Sequence, residues 1–326
     1  MNNWKKEMIP LEETFDGQFA AGRGGVLEIY TPKDRKAEFI VLENESCYAR
    51  LKTSFSAPVL YPFPSVEFQP KAKAVLMDLD GTSVISEEFW IWIIELVMRE
   101  MLDDGHFSLE EEDIPYVSGF SVTEHLQYCI DKYSPGADIT KARKTYHRIT
   151  RQEMRRIMEG GGRADAFRVR PHLKEFLLAL KENGIKIGLV TSGLYEKAIP
   201  EIVSAFRQMQ LGEPLQFYDA VVTAGTAYGR GRTGTLGEYS AKPHPWLYSE
   251  IAGVGLGLGR EDACRVAVLE DSSAGVLAGR LAGYPVIGMG GGNIRQAGLS
   301  CLTAKQTDAL PEALDYLLGK ERKEKG

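Results

Sequence analysis

The sequence predicts an α/β protein: a doubly wound parallel sheet with an inserted all-helical segment and an extra β-rich stretch in front. Three observations predict this. After residue 70, five short apolar runs (74–77, 185–190, 220–222, 266–269 and 286–289) alternate with helical patterns. Continuous apolar runs are what strands buried on both faces require. Between the first and second run, about a hundred residues carry almost no strand signal. Before residue 70, runs rich in Val, Ile, Tyr and Phe are bounded by Gly, Pro and Asn, the pattern of short antiparallel strands.

In chain order, residues 26–30, 38–43 and 47–55 read as strands of the extension. Pro58, Pro62, Pro64 and Pro70 then crowd together. Proline fixes φ and removes a backbone donor, so this stretch reads as an extended linker closing a segment 1–70. The run 74–77 ends in Asp78 and opens the α/β core, expected at 71–83 and 169–326. Residues 87–102, 122–133 and 139–158 read as helices of an insert at 84–168. Gly160, Gly161 and Gly162 offer a flexible joint, or a surface loop, where that insert returns to the core. Further helical patterns lie at 171–183, 196–206, 243–252, 274–282 and 311–318, with Pro171, Pro243 and Pro311 each placed to begin a helix.

The chain of 326 residues is long enough for two or three domains, and 44% hydrophobic with 26% charged residues is ordinary for a globular protein. A net charge of -6 argues against nucleic acid as a partner. Cys47, Cys129, Cys264 and Cys301 form no CxxC pair, so neither zinc nor a disulfide framework is expected, and a reducing cytoplasm fits. The N-terminal residues lack the apolar core of a signal peptide. The most apolar run, 89–98, is interrupted by Glu95 and too short to span a membrane.

Four motifs carry chemistry. Asp78-Leu79-Asp80-Gly81-Thr82 follows an apolar strand, so two carboxylates project where open α/β sheets bind ligands. Carboxylates that close repel unless a proton or a cation is shared, and oxygen ligands beside phosphate suit Mg²⁺. Taken alone, the same letters also describe a strand ending in an Asp-Gly turn. In the second motif, Thr191-Ser192-Gly193, a strand ends in a hydroxyl residue followed by a turn and a helix, a seat for phosphate. In the third, Lys242 stands before Pro243-His244-Pro245, and a fixed ammonium there can neutralise phosphate and a carboxylate. The fourth, Glu270-Asp271-Ser272-Ser273, again ends a strand in paired acids before a helix.

Together the four motifs resemble the haloacid dehalogenase superfamily, in its phosphatase-like branch with a helical cap after the first strand, over residues 72–318. Their order and spacing, 113 residues from Asp78 to Thr191 and 29 from Lys242 to Asp271, carry the resemblance. It implies that Asp78 attacks phosphorus and that Asp80 serves as general acid and then base. It implies that Thr191 and Lys242 hold the phosphoryl group, with Leu79, Ser192 and Gly193 lining it. It also implies Mg²⁺ on Asp78, the Asp80 carbonyl and Asp271, supported by Glu270. The expected partner is a small phosphorylated metabolite, with no nucleic acid and no membrane.

An acid at Asp80 separates the chain from the dehalogenase and phosphonate-cleaving branches. The β-phosphoglucomutases of the family carry a histidine twelve residues after the nucleophile, where this chain has Trp90, and an arginine after Gly-x-Ser, where Gly119-Phe120-Ser121 is followed by Val122. Ile85 stands where many members have an acid. The resemblance therefore implies a hydrolase rather than a mutase, with a silent binding protein on the same fold as the contrasting reading. Arg230 and Arg232, in a glycine-rich loop, and His125, in the cap, are candidate substrate contacts set against the favoured reading of a solvated loop and an ordinary surface or half-buried histidine. The glycines of 253–259 do not match a dinucleotide fingerprint and read as a helix-to-strand connection. The extension 1–70 is expected to mediate oligomerisation, shape the entrance or extend the core.

Overall fold

The computed structural model describes residues 3–53, 57–114, 122–163, 166–225 and 241–320. Strands β1 (Ile9–Leu11), β2 (Val26–Thr31), β3 (Ala37–Leu42), β4 (Cys47–Leu51) and β5 (Val59–Pro62) form one antiparallel sheet in sequential order. The fifth strand corrects the expectation of a plain linker. Pro62 stands opposite Tyr48 on the outermost strand, where a missing N–H leaves no inner ladder bond unmade.

The chain continues through β6 (Ala74–Asp78), β7 (Val84–Ile85), α1 (Glu87–Leu102), α2 (Val122–Tyr133), α3 (Ile139–Met158) and β8 (Arg168–Val169). Next come α4 (Leu173–Glu182), β9 (Lys186–Leu194), α5 (Tyr195–Met209), α6 (Pro214–Phe217) and β10 (Ala220–Gly225). After these follow α7 (Trp246–Glu250), β11 (Val266–Glu270), α8 (Ser273–Leu281), β12 (Val286–Met289), β13 (Lys305–Thr307) and α9 (Leu310–Leu318).

Six of these strands form a parallel sheet in the order β10-β9-β6-β11-β12-β13. The α/β class with a doubly wound parallel sheet is therefore present. Successive strands first build outward on one side of β6 and then on the other, so the order reverses between β6 and β11. Ligands of open α/β sheets bind outside the strand ends at such a reversal. Every residue of β6 and β11 is buried, which is why both are uninterrupted apolar runs closed by an acid.

The chain forms two compact units. One comprises Met1–Ser83, Arg170–Tyr195 and Gly212–Gly326, the other Val84–Val169 and Glu196–Leu211. Within the first, the antiparallel sheet shares one core with the parallel sheet: Phe39, Ala49 and Leu51 belong to the same buried cluster as Leu76, Val268, Val276 and Leu277. Trp4 closes this contact against Tyr30, Phe39 and Phe63, with ring centroids 5.8, 5.3 and 5.6 Å away. Arg280 of α8 donates to the Pro64 carbonyl at 3.1 Å and stacks over Phe63 at 5.3 Å.

In the second unit, α1 buries Phe89, Ile93, Ile94, Val97 and Met98, and α3 buries Ala142, Tyr146, Ile149 and Ile157. The fully buried carboxylate of Asp113 accepts from Lys132 at 2.7 Å, from the hydroxyls of Tyr128 and Tyr133, and from the Glu110 N–H at 2.9 Å. Gly160 and Gly162 take left-handed φ values of 84° and 82°, and the N–H groups of Gly160 and Gly161 bond back to Ile157 and Arg156. These glycines close α3 in the way helix C-termini commonly end.

Two of the helix-starting prolines are placed differently from the expectation. Helix α4 begins after His172, whose φ is 63°, so Pro171 lies outside it. Pro243 follows Lys242 through a cis peptide bond, and α7 starts only at Trp246. Pro311 does occupy the first turn of α9.

Candidate active site

Asp78 is the last residue of β6 and is 7% exposed. The Ser83 hydroxyl donates to its backbone carbonyl at 2.6 Å, tying the following loop back to the strand. Gly81 sits in that loop with φ 78°, and a side chain there would fall on the Asp271 carboxylate. Both the backbone conformation and the close approach of a second acid demand glycine. Thr82 donates to Asp271 Oδ1 at 3.2 Å. Asp80 lies two residues beyond Asp78 and is partly exposed.

The second motif lies within β9 rather than in a turn. The strand runs on to Leu194 because β10 keeps pairing with it, Thr223 with Thr191 and Gly225 with Leu194, across an irregularity that absorbs an extra residue. Thr191 is buried, and its Oγ1 accepts from the Gly193 N–H at 2.9 Å. Ser192 Oγ accepts from the Lys242 N–H at 3.2 Å, which joins the second motif to the third.

The Lys242 ammonium donates to Asp78 Oδ1 and, at 2.5 Å, to Glu270 Oε1. Glu270 is fully buried. Its Oε1 also accepts from the Tyr248 hydroxyl at 2.5 Å, and its Oε2 accepts from the N–H and hydroxyl of Ser272 at 3.3 and 3.0 Å. Four donors on one carboxylate make Glu270 the anchor of the lysine. Tyr248 is fully buried on α7 and gave no signal in the sequence, since an aromatic residue in an apolar helix reads as core.

Asp78, Glu270 and Asp271 each offer an oxygen, and these oxygens lie within 4.8 Å of one another. Burial and the neighbouring Glu270 charge push the Asp78 carboxyl well above its ordinary range, against the pull of Lys242. Burial and Glu270 likewise push Asp271 up to about 7. Burial works against the Lys242 charge, but the carboxylates of Asp78 and Glu270 outweigh it and hold the lysine protonated. Three carboxylates facing one ammonium leave excess negative charge, and an all-oxygen donor set suits a hard divalent cation such as Mg²⁺. The residues present therefore fit that ion.

Arg170 escaped the sequence reading. Its guanidinium donates to the carbonyls of Gly81 and Gly290 at 2.9 and 2.6 Å and to that of Asp308 at 3.1 Å. One side chain thus ties the loop after β6 to those after β12 and β13. A lone Arg-Pro pair carries no pattern that could announce this. His125 lies on α2 in the second unit. Arg230, Arg232 and residues 119–121 fall outside the described residues.

Comparison with known proteins agrees with this geometry. Residues 72–283 match the family model described as haloacid dehalogenase-like hydrolase. No curated protein sequence matches the chain. Among solved structures, a predicted phosphoglycolate phosphatase from Haemophilus somnus 129PT is similar with a TM-score of 0.56 and 17% identity, covering 76% of this chain and 98% of that one. CbbY from Rhodobacter sphaeroides, in complex with phosphate, is similar with a TM-score of 0.52 and 18% identity over 74% of this chain and 96% of that one. A hydrolase from Deinococcus radiodurans R1 with bound phosphate and sodium gives 0.51 and 23%, over 77% and 97%. With a parallel sheet reversing beside Asp78, and the family match spanning about two thirds of its length, the chain belongs to the haloacid dehalogenase-like hydrolases.

Proposed function

We propose that this protein is a Mg²⁺-dependent phosphomonoester hydrolase for a small phosphorylated metabolite, working through a phosphoryl group carried on Asp78. The observation that carries the reading is the convergence of Asp78, Lys242, Glu270 and Asp271 at the reversal of the parallel sheet. Phosphate in two of the similar structures supports it.

In this reading Asp78 Oδ attacks phosphorus while Asp80 gives its proton to the leaving oxygen. Asp80 then takes a proton from the water that cleaves the aspartyl-phosphate, so one carboxyl group alternates between neutral and ionised. Lys242 and the Thr191 hydroxyl hold the phosphoryl oxygens, with Leu79, Ser192 and Gly193 beside them. Asp78, the Asp80 carbonyl and Asp271 would hold Mg²⁺, which supplies charge neutralisation to the phosphoryl group when bound. Glu270, saturated by Lys242, Tyr248 and Ser272, keeps the ammonium aimed at Asp78. General acid–base help contributes roughly 10²–10⁴ in rate, so positioning and charge neutralisation carry most of the acceleration.

Hydrolysis is favoured over mutase chemistry by Trp90. Its indole N–H is buried with no hydrogen-bond partner among the described residues, and the Lys197 ammonium lies 3.8 Å over its ring. That position offers no imidazole to pass protons. The test is a screen of sugar phosphates, nucleotides and small phosphate esters with MgCl₂, run beside Asp78→Asn. Phosphate release that the variant retains would remove Asp78 from the chemistry, and silence on every ester would favour a binding role.

A further inference from the structure

The extension preceding the family match places two residues against the third motif. Tyr61, on β5, sets its hydroxyl 2.9 Å from His244 Nδ1. Trp246 Nε1 donates to the same hydroxyl at 3.1 Å. The backbone of Lys52, in the connection between β4 and β5, bonds the same imidazole. The indole can only donate, so the Tyr61 oxygen accepts from it, and the same hydroxyl pairs with Nδ1 in the direction that the imidazole tautomer sets. His244 is 7% exposed, and burial holds it below its ordinary value, consistent with a neutral ring.

His244 is also the last residue of the turn that carries Lys242. Its N–H bonds to the Ala241 carbonyl at 3.1 Å across Lys242 and Pro243. The far end of Lys242 is held by Asp78 and Glu270, and its backbone N–H by Ser192. The antiparallel sheet supplies the remaining fixed point, and it is rigidly seated because Phe39, Ala49 and Leu51 lie in the common core.

We propose that the N-terminal sheet is a positioning device for the phosphate-holding lysine, with Tyr61 acting as a positioning residue through His244. This rests on the phosphohydrolase reading, in which Lys242 contacts phosphate. The sheet thereby has a task within its own chain.

The test is a double-mutant cycle. Inorganic phosphate is titrated into the full-length protein with MgCl₂ by calorimetry, for wild type, Tyr61→Phe, Lys242→Met and the double variant, alongside turnover of p-nitrophenyl phosphate. Tyr61→Phe keeps the ring and removes only the hydroxyl. It is expected to weaken phosphate binding about tenfold and to lower kcat by a similar factor, with a thermal midpoint close to wild type. In the Lys242→Met background the same change is expected to do less than twofold, because the lysine it positions is gone. Leu60→Ser, an exposed neighbour on the same strand, should leave both readouts unchanged. Wild-type phosphate affinity in Tyr61→Phe, or an equal loss in both backgrounds, overturns the positioning role while leaving the phosphohydrolase reading intact. Undiminished phosphate affinity in Lys242→Met alone overturns the role of the lysine, and the positioning role with it.

Discussion

Replacing Asp271 by asparagine should make the metal-free protein more stable at alkaline pH and abolish its response to Mg²⁺. The folded carboxyl titrates at about 7 against an ordinary 3.8. An acid whose value is raised by folding contributes stability at low pH and loses it as pH rises through the folded value. At roughly 1.4 kcal/mol for each tenfold, ionising buried Asp271 above pH 7 costs at most about 4 kcal/mol. The same arithmetic gives a cost of less than 2 kcal/mol at pH 5. Asparagine removes the charge but adds an amide that must find partners beside Thr82, at about 1–3 kcal/mol. The variant should therefore be nearly neutral at pH 5 and gain about 2 kcal/mol at pH 8. Urea denaturation in EDTA, followed by tryptophan fluorescence at the two pH values, measures this. Adding MgCl₂ should reverse the order, because an ion at a hundred times its dissociation constant stabilises the wild type by about 2.7 kcal/mol. An asparagine variant that is less stable than wild type at pH 8 in EDTA, or that responds equally to Mg²⁺, would refute the reasoning.

Three further outcomes follow from the geometry. Gly275→Ala would place a methyl group on the fully buried Glu270 carboxylate; a loss of about 2–4 kcal/mol in stability and of most phosphatase activity is expected in denaturation and turnover assays. Arg170→Lys cannot reach the Gly81, Gly290 and Asp308 carbonyls together, so Mg²⁺ affinity measured by calorimetry should weaken about tenfold. In the second unit, donors from Lys132, Tyr128 and Tyr133 outweigh burial and hold Asp113 well below the usual carboxylate range. Its contribution is complete above about pH 4 and disappears as pH falls further. Asp113→Ala should cost about 3 kcal/mol at pH 7, read as faster hydrogen exchange in α2, and the difference from wild type should shrink on acidification.

Much of this architecture was legible because burial leaves a mark on composition. The strands β6 and β11 are buried on both faces and therefore apolar throughout, and the acids closing them mark the sheet's C-terminal edge. Gly81 was legible as a turn, but its second reason, the approach of Asp271, needs the tertiary fold. Pro62 pointed away from a strand because an outer position, where proline is harmless, is a property of the sheet and not of the residue. Ser192 and Gly193 looked like a turn because strand length there is set by the pairing of β10. Tyr248, Arg170 and the Tyr61–His244 contact left no trace, since each works on a partner distant in sequence, and nothing in their own neighbourhoods distinguishes them from core or surface residues.

The central place of β6 also has a consequence in time. Its two neighbours, β9 and β11, pair with it from more than a hundred and nearly two hundred residues downstream. A chain emerging from the ribosome at about 5–20 residues per second would expose the apolar strand carrying Asp78 for on the order of 10–40 s before β11 arrives. The N-terminal sheet is already synthesised during that interval, since all five of its strands precede β6 in the chain. Its apolar face, which later joins the common core, is then the nearest native surface available to cover the waiting strand.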